Sequence, residues 1–243
     1  MLLCSIASFA QFGGGTGSQT DPYLISDTAQ FKAIANLGST SGIYFKLTAD
    51  IDLGDLGTVT SAIIPTTFSG TLDGDGYKIS YTVESAVSDG NFGLFGSVSG
   101  TVKNLNITAT ATITGEANNV GLLCGSLTGR IENCRALNCV VNSTIPTNNG
   151  KGIHVGTLAG YLNTSGTNGI YYCAVTGNVT GNGSVGGLVG YAEAGIIKGC
   201  SFTGSITGLP AGDHNKPDGV GGICGQASAS VDLSFCLADA TIN

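Results

Sequence analysis

Gly93-Leu94-Phe95-Gly96, Gly121-Leu122-Leu123-Cys124-Gly125, Gly156-Thr157-Leu158-Ala159-Gly160, Gly186-Gly187-Leu188-Val189-Gly190 and Gly221-Gly222-Ile223-Cys224-Gly225 are five versions of one phrase. Their closing glycines stand at 96, 125, 160, 190 and 225, so the phrase returns every 29 to 35 residues. A period of that length marks a solenoid, in which one supersecondary unit stacks on copies of itself. After each phrase comes a run whose alternate members are apolar or small. These are Leu105-Ile107-Ala109, Cys134-Ala136, Cys173-Val175-Gly177-Val179, Cys200-Phe202-Gly204-Ile206 and Cys236-Ala238-Ala240-Ile242. A period of two is that of a strand, and it leaves Thr108, Thr176, Asn178 and Ser205 on the wet side. A unit of about 30 residues cannot bury its own apolar face, so stacking must make the core. The sequence predicts an all-β fold: a parallel, right-handed β-helix of five repeats over 91–243, continuous with two irregular coils in 11–90. The phrase glycines are expected at backbone bends with positive φ.

Composition narrows the setting. Only 10% of the 243 residues are charged, Trp is absent and the formal net charge is -7. No apolar run approaches the ~20 residues of a membrane helix, so no membrane span is expected. The nine Lys and Arg fall singly along the chain, which leaves no basic stripe for nucleic acid. Leu2 to Ala10, ending Ser8-Phe9-Ala10, has the form of a secretory signal's tail, although a basic front would have to lie upstream of Met1. Residues 1–10 are therefore expected to be a signal remnant, and the chain is expected to be exported to the cell surface or beyond. Eight cysteines in such a chain would suggest disulfides. Here Cys134, Cys173, Cys200 and Cys236 recur at one inward place, and Cys124 and Cys224 at another. Side chains stacked in parallel rarely meet the disulfide dihedral, so these are expected to be small buried hydrophobes. The spacings do not fit zinc either.

Residues 11–90 are expected to cap the stack. Asp27-Thr28-Ala29-Gln30 reads as a capping box opening a short helix, with Phe31, Ile34 and Ala35 on one face and Gly38 as its stop. Phe45, Leu47, Ala49, Ile51 and Leu53 then alternate inward. The order Gly13-Gly14-Gly15-Thr16-Gly17, Asp21-Pro22-Tyr23-Leu24-Ile25, Tyr44-Phe45-Lys46-Leu47-Thr48-Ala49-Asp50-Ile51-Asp52-Leu53 and Phe68-Ser69-Gly70-Thr71-Leu72-Asp73-Gly74, followed by the glycine phrases, resembles bacterial GLUG-motif surface proteins. That resemblance implies an exported, adhesin-like β-helix of the kind found in gut Bacteroidetes. Similar repeats accompany some IgA-cleaving metallopeptidases. The family supplies no agreed catalytic residues, so none is transferred.

No catalytic motif appears, and His-Glu-x-x-His is absent. His154 and His214 fall in two insertions, Ser143 to His154 and Leu209 to Gly219, which lengthen the spacing to 35 residues. If both leave the rod at one corner they form a ridge, and Asp213, His214, Lys216, Asp218 and His154 are the candidate ligand-binding residues. Asp50, Asp52, Asp73 and Asp75, with Asp55 close by in sequence, are a candidate calcium site, because Asp73-Gly74-Asp75-Gly76 begins like a calcium loop. No other cofactor is expected. The same acidic side could serve a polysaccharide lyase or hydrolase, the enzyme alternative to a binding module. An ice-binding threonine ladder at Thr108, Thr110, Thr112 and Thr114 fails in the second repeat, where the outward residues read as Arg135, Leu137 and Cys139. The expected role is a non-catalytic surface binding or scaffold module for a glycan or a host or extracellular protein. A structural segment of a larger surface protein is the further alternative. The open last coil, ending after Ile242, is expected to be covered by self-association or by further chain.

Overall fold

The computed structural model describes residues 11–87, 90–115, 117–143, 153–210 and 218–243. The candidate signal remnant and Asp213, His214 and Lys216 lie outside them. From residue 91 the first three coils have the same four parts. In the first coil, Asn91–Phe92 leads through the glycine phrase into Phe95–Val98, then Thr101–Lys103, then the long Asn106–Ile113. The second and third parts fuse in the fourth and fifth coils into Val189–Lys198 and Cys224–Ser234. Stacked copies make three parallel sheets of twelve, seven and five strands among the described residues. The seven-stranded sheet runs from Ile51–Val59 to Leu237–Ile242, the two irregular coils and five repeats that the period predicts. The twelve-stranded sheet has two arms, joined where Val189–Lys198 runs from one into the other. Equivalent residues of successive coils pair directly, so each position becomes a column along the rod.

The alternation works as predicted: Leu105, Ile107, Cys134, Ala136, Cys173, Val175, Cys200, Phe202 and Ile206 are all buried. In the last coil the inner positions Ala238 and Ile242 are exposed, because Leu237–Ile242 is the outer strand of its sheet. One outward reading fails. Cys139, expected outside, is buried, as are Val141 and Ser143. Asn138 adopts φ +55° and the pairing slips between Ala136 and Cys139, a bulge that turns every later side chain over.

The phrase glycines are also where expected but for another reason. None of them has positive φ. A Cβ at Gly121 would stand 2.3 Å from the Cys124 carbonyl oxygen and 2.7 Å from the Ala159 Cα, and one at Gly125 would meet Asn91 at 2.5 Å. Close approach of backbone to backbone between coils excludes a side chain there. Left-handed backbone belongs instead to the corner before each long strand, at Asn104, Asn133, Tyr172, Gly199 and Phe235, with φ of 53°, 53°, 53°, 66° and 54°.

Helix Thr28–Ala33 and the 3-10 turn Ile34–Asn36 cover the N-terminal end as predicted, with Phe31, Ala33 and Ile34 buried and Ala35 only partly so. Asp27 caps the Gln30 amide at 2.8 Å, while the Gln30 side chain accepts from Ser26 N at 2.7 Å, one residue earlier than a full capping box. An aromatic chain continues the cap inward: Phe12, Phe45, Phe68, Phe95 and Phe31 have successive ring centroids 4.8 to 6.1 Å apart.

The third repeat carries a cost. Thr157, aligned with Leu94 and Leu122, is 1% exposed and its hydroxyl has no partner. Thr157→Val keeps the shape and removes the orphan group, so it is expected to stabilise the fold by about 1 kcal/mol. Urea unfolding checks this, and a lower midpoint for the variant would contradict it.

Candidate functional site

Outside the rod, two columns of side chains converge across each glycine phrase. The short strands present Asn91, Asn119, His154, Ser184 and Gly219, which are in register. The strands after the phrase present Ser97, Ser126, Tyr161, Tyr191 and Gln226. Asn91 Nδ2 donates to Ser97 Oγ at 3.0 Å and Ser184 Oγ to Gln226 Oε1 at 3.1 Å, so the exterior is concave here. Closing glycines form its floor: a Cβ at Gly190 would stand 2.4 Å from Val155 N and 2.6 Å from the His154 carbonyl carbon. The bare repeat phrase thus holds the two walls together.

In the third and fourth repeats this groove becomes aromatic. The His154 ring lies 5.9 Å from Tyr161 and 5.0 Å from Tyr191, and the two tyrosines are 5.8 Å apart. At the rim the Tyr161 hydroxyl donates to the Glu193 carboxylate, and Asn163 Nδ2 donates to the same carboxylate at 2.9 Å. Asn119 Nδ2 donates to Asn91 Oδ1 at 2.7 Å, which leaves its Oδ1 facing His154 Nδ1, also at 2.7 Å. A neutral His154 therefore carries its proton on Nδ1 and keeps Nε2 as an acceptor. Burial pushes its pKa below the usual 6.5, and the nearby Asp218 carboxylate partly offsets this.

That shift has a sign. Between the folded pKa and 6.5 the unfolded chain binds more protons, so His154 contributes stability that is complete above about pH 6.5 and is lost as pH falls through the folded value. Unfolding midpoints between pH 7.5 and 5 are expected to fall more steeply for the native chain than for His154→Gln. Parallel curves would contradict the burial assigned to this ring.

Sequence reasoning picked out His154 as a loop residue; it is instead the first residue of strand His154–Gly156, with its ring in the groove. Asp218 comes close enough to bear on that ring, two coils further on. Tyr161, Asn163, Tyr191 and Glu193 were missed. The signal was the residue after each closing glycine, where Gly160-Tyr161 and Gly190-Tyr191 stand against Ser97 and Ser126.

The acidic candidates are engaged with their own chain. Asp50 accepts from Lys78 N at 2.8 Å, and Asp52 from Gly54 N and Ser80 Oγ, both at 3.0 Å. Asp73 pairs with Lys103 at 3.2 Å and accepts from Asn104 and the Asp75 amide, each at 2.9 Å, and Asp75 pairs with Lys46 at 3.0 Å. Burial alone would raise the Asp73 pKa, but the Asn104, Asp75 and Lys103 contacts hold it below its ordinary value. Among the described residues no three His, Cys, Asp or Glu side chains gather as a metal ion would require.

Known proteins share this architecture. The GLUG motif model matches residues 181–207, which hold the fourth glycine phrase and most of the strand Ser201–Leu209. Halomucin of Haloquadratum walsbyi is 33% identical over 135 residues, 49% of this chain and 2% of that protein. A "putative Gly-rich membrane protein" of Evansella cellulosilytica is 36% identical over 138 residues, 52% of this chain and 16% of that protein. The chain thus spans only a small part of the length of either relative. The crystal structure of a "putative immunoglobulin A1 protease" from Bacteroides ovatus superposes with a TM-score of 0.68 at 24% identity, over 96% of this chain and 70% of that one, and so shares the fold. Motif, repeats and fold agree: residues 181–207 carry a GLUG motif, and the chain is built as a parallel β-solenoid.

Proposed function

We propose that this chain is a non-catalytic, glycan-binding module of the cell envelope, and that the glycan lies in the groove of the third and fourth repeats. The observation that carries this is the cluster of His154, Tyr161 and Tyr191 rings in a concave exterior site, with Glu193 and Asn163 at its rim. Ring faces take the apolar C–H side of a sugar, while a carboxylate, an amide and the free His154 nitrogen match its hydroxyls. The acidic residues outside the groove are paired along the chain rather than converging on one point, an arrangement suited to binding rather than to acid–base chemistry. Placement in the envelope draws on the Evansella relative, whose name is that of a membrane protein. No helix among the described residues is long and apolar enough to cross a membrane.

The purified chain is expected to capture neutral glycans on an array, and Tyr191→Ala to weaken capture about tenfold or more, the equivalent of ~1.4 kcal/mol. Tyr191→Phe, which keeps the ring, is expected to stay close to the native chain. Absence of capture, or capture that Tyr191→Ala leaves unchanged, would overturn the reading.

A further inference from the structure

The corner between the Thr101–Lys103 and Asn106–Ile113 strands, repeated along the rod, forms a second surface away from the groove. Cations that fall singly in the sequence line up there: Lys46, Lys78, Lys103, Arg130, Arg135 and Lys198, six of the nine Lys and Arg in the chain. They fall in neighbouring, mixed columns: Lys46, Lys103 and Lys198 share a register position with Asp73, Glu132 and Tyr171, and Lys78 and Arg135 share the next with Asn106. Three of them are already neutralised: Lys46 by Asp75 at 3.0 Å, Lys103 by Asp73 at 3.2 Å and Arg130 by Glu132 at 2.8 Å. Among the described residues Lys78, Arg135 and Lys198 have no carboxylate within ion-pair distance, although Asp52 lies near Lys78.

The spacing of these three is regular. Lys78 and Arg135 are separated by the rung of Asn106, and Arg135 and Lys198 by the rung of Tyr171 and Tyr172. Unpaired cations therefore recur every second coil, roughly 10 Å apart along the axis at ~4.8 Å per rung and about the length of two sugar rings. Lys198 is set one column aside, in the register of Glu132 and Tyr171 rather than of Lys78 and Arg135. The rungs between them carry no unpaired cation, since Lys103 in the first is paired with Asp73, and they present groups suited to a sugar. Asn104, Asn106 and Asn133, with Asp75 held by its ion pair to Lys46, line a cleft of about 400 Å³ beside Arg135. Tyr172, 57% exposed, lies over Gly199, where a Cβ would come within 2.7 Å of its ring. It holds this place in left-handed backbone, φ +53°, which costs a non-glycine residue about 1 kcal/mol or more.

We propose that this edge binds a linear polysaccharide carrying one carboxylate or sulfate per disaccharide, laid along the rod axis with its anions on Lys78, Arg135 and Lys198 and a sugar ring on Tyr172. The experiment is affinity electrophoresis and calorimetry of the purified chain with hyaluronan oligosaccharides, a neutral chitin oligosaccharide and single-stranded DNA, at low and at 0.5 M salt. Hyaluronan is expected to bind at low salt and to be released at 0.5 M. The Arg135→Gln/Lys198→Gln pair should weaken it at least tenfold with an unchanged unfolding midpoint, and Tyr172→Ala should weaken it at low and intermediate salt alike. Tyr191→Ala, in the groove, should leave it unaffected, which separates this surface from the neutral-glycan site. Failure to bind hyaluronan, binding unchanged in the double variant, or equal binding of DNA would each overturn the proposal.

Discussion

Gly190→Ala is expected to destabilise the fold by about 3 kcal/mol or more, whereas Gly38→Ala changes stability by less than about 0.5 kcal/mol. Both substitutions add one methyl group. At Gly190 it would stand 2.4 Å from Val155 N, 2.6 Å from the His154 carbonyl carbon and 2.7 Å from Gly160 O, all backbone, so no side chain can swing aside. At Gly38 nothing lies within 4 Å and φ is not in the left-handed region. For a chain of this size 3 kcal/mol corresponds to a fall of roughly 6–12 °C in the unfolding midpoint. Because the atoms displaced belong to His154 and its neighbour, Gly190→Ala should also weaken neutral-glycan capture in whatever fraction still folds. Similar midpoints for the two variants would show that the phrase glycines do not act through close approach.

Phe68→Ala is the second large effect, at about 3–5 kcal/mol. Phe68 is fully buried, with its ring 5.8 Å from Phe45 and 4.8 Å from Phe95, so truncation opens a cavity between the first coils and the repeats. Phe68→Leu retains most of the volume and should cost about 1.5 kcal/mol or less. In a stack each coil touches only its neighbours, so the loss should concentrate at the N-terminal end. Limited proteolysis is expected to cut Phe68→Ala first within residues 11–60 while the third and fourth repeats stay protected. Cleavage spread evenly over the chain would argue for a single cooperative unit.

Much of this architecture is legible before any coordinates, because a parallel stack repeats one instruction. Leu105, Cys134, Cys173 and Cys200 come out in a single buried column, and Asp27 caps a helix where the sequence places one. What is not legible depends on geometry between coils. The alternation at Ala136 continues smoothly on paper, and only the left-handed Asn138 turns Cys139 inward. Glycine's two uses, positive φ and close approach, look identical as letters; Gly93 serves the second and Gly199 the first. His154 reads as the end of an insertion because the residues before it are polar, yet it pairs with Asn119 and Ser184 as a strand residue. The basic edge is invisible along the sequence because its members come from different coils and meet only at the corner.

The column of cysteines carries a consequence for how such a rod is made. All seven cysteines among the described residues are free thiols. In the column, each sulfur of Cys134, Cys173, Cys200 and Cys236 lies 3.2 to 3.4 Å from the carbonyl two residues earlier. Burial raises the Cys173 thiol pKa well above its usual value and that of Cys139, outside the column, to about 11, which suppresses the reactive thiolate at those two positions. The hydrogen bond with Cys173 instead lowers that of Cys200. Cohesion among these seven residues is wholly non-covalent, so the stacking of the described coils calls on no disulfide. A rod held in this way is expected to keep its unfolding midpoint when a thiol reductant is added, since no cross-link joins the described coils.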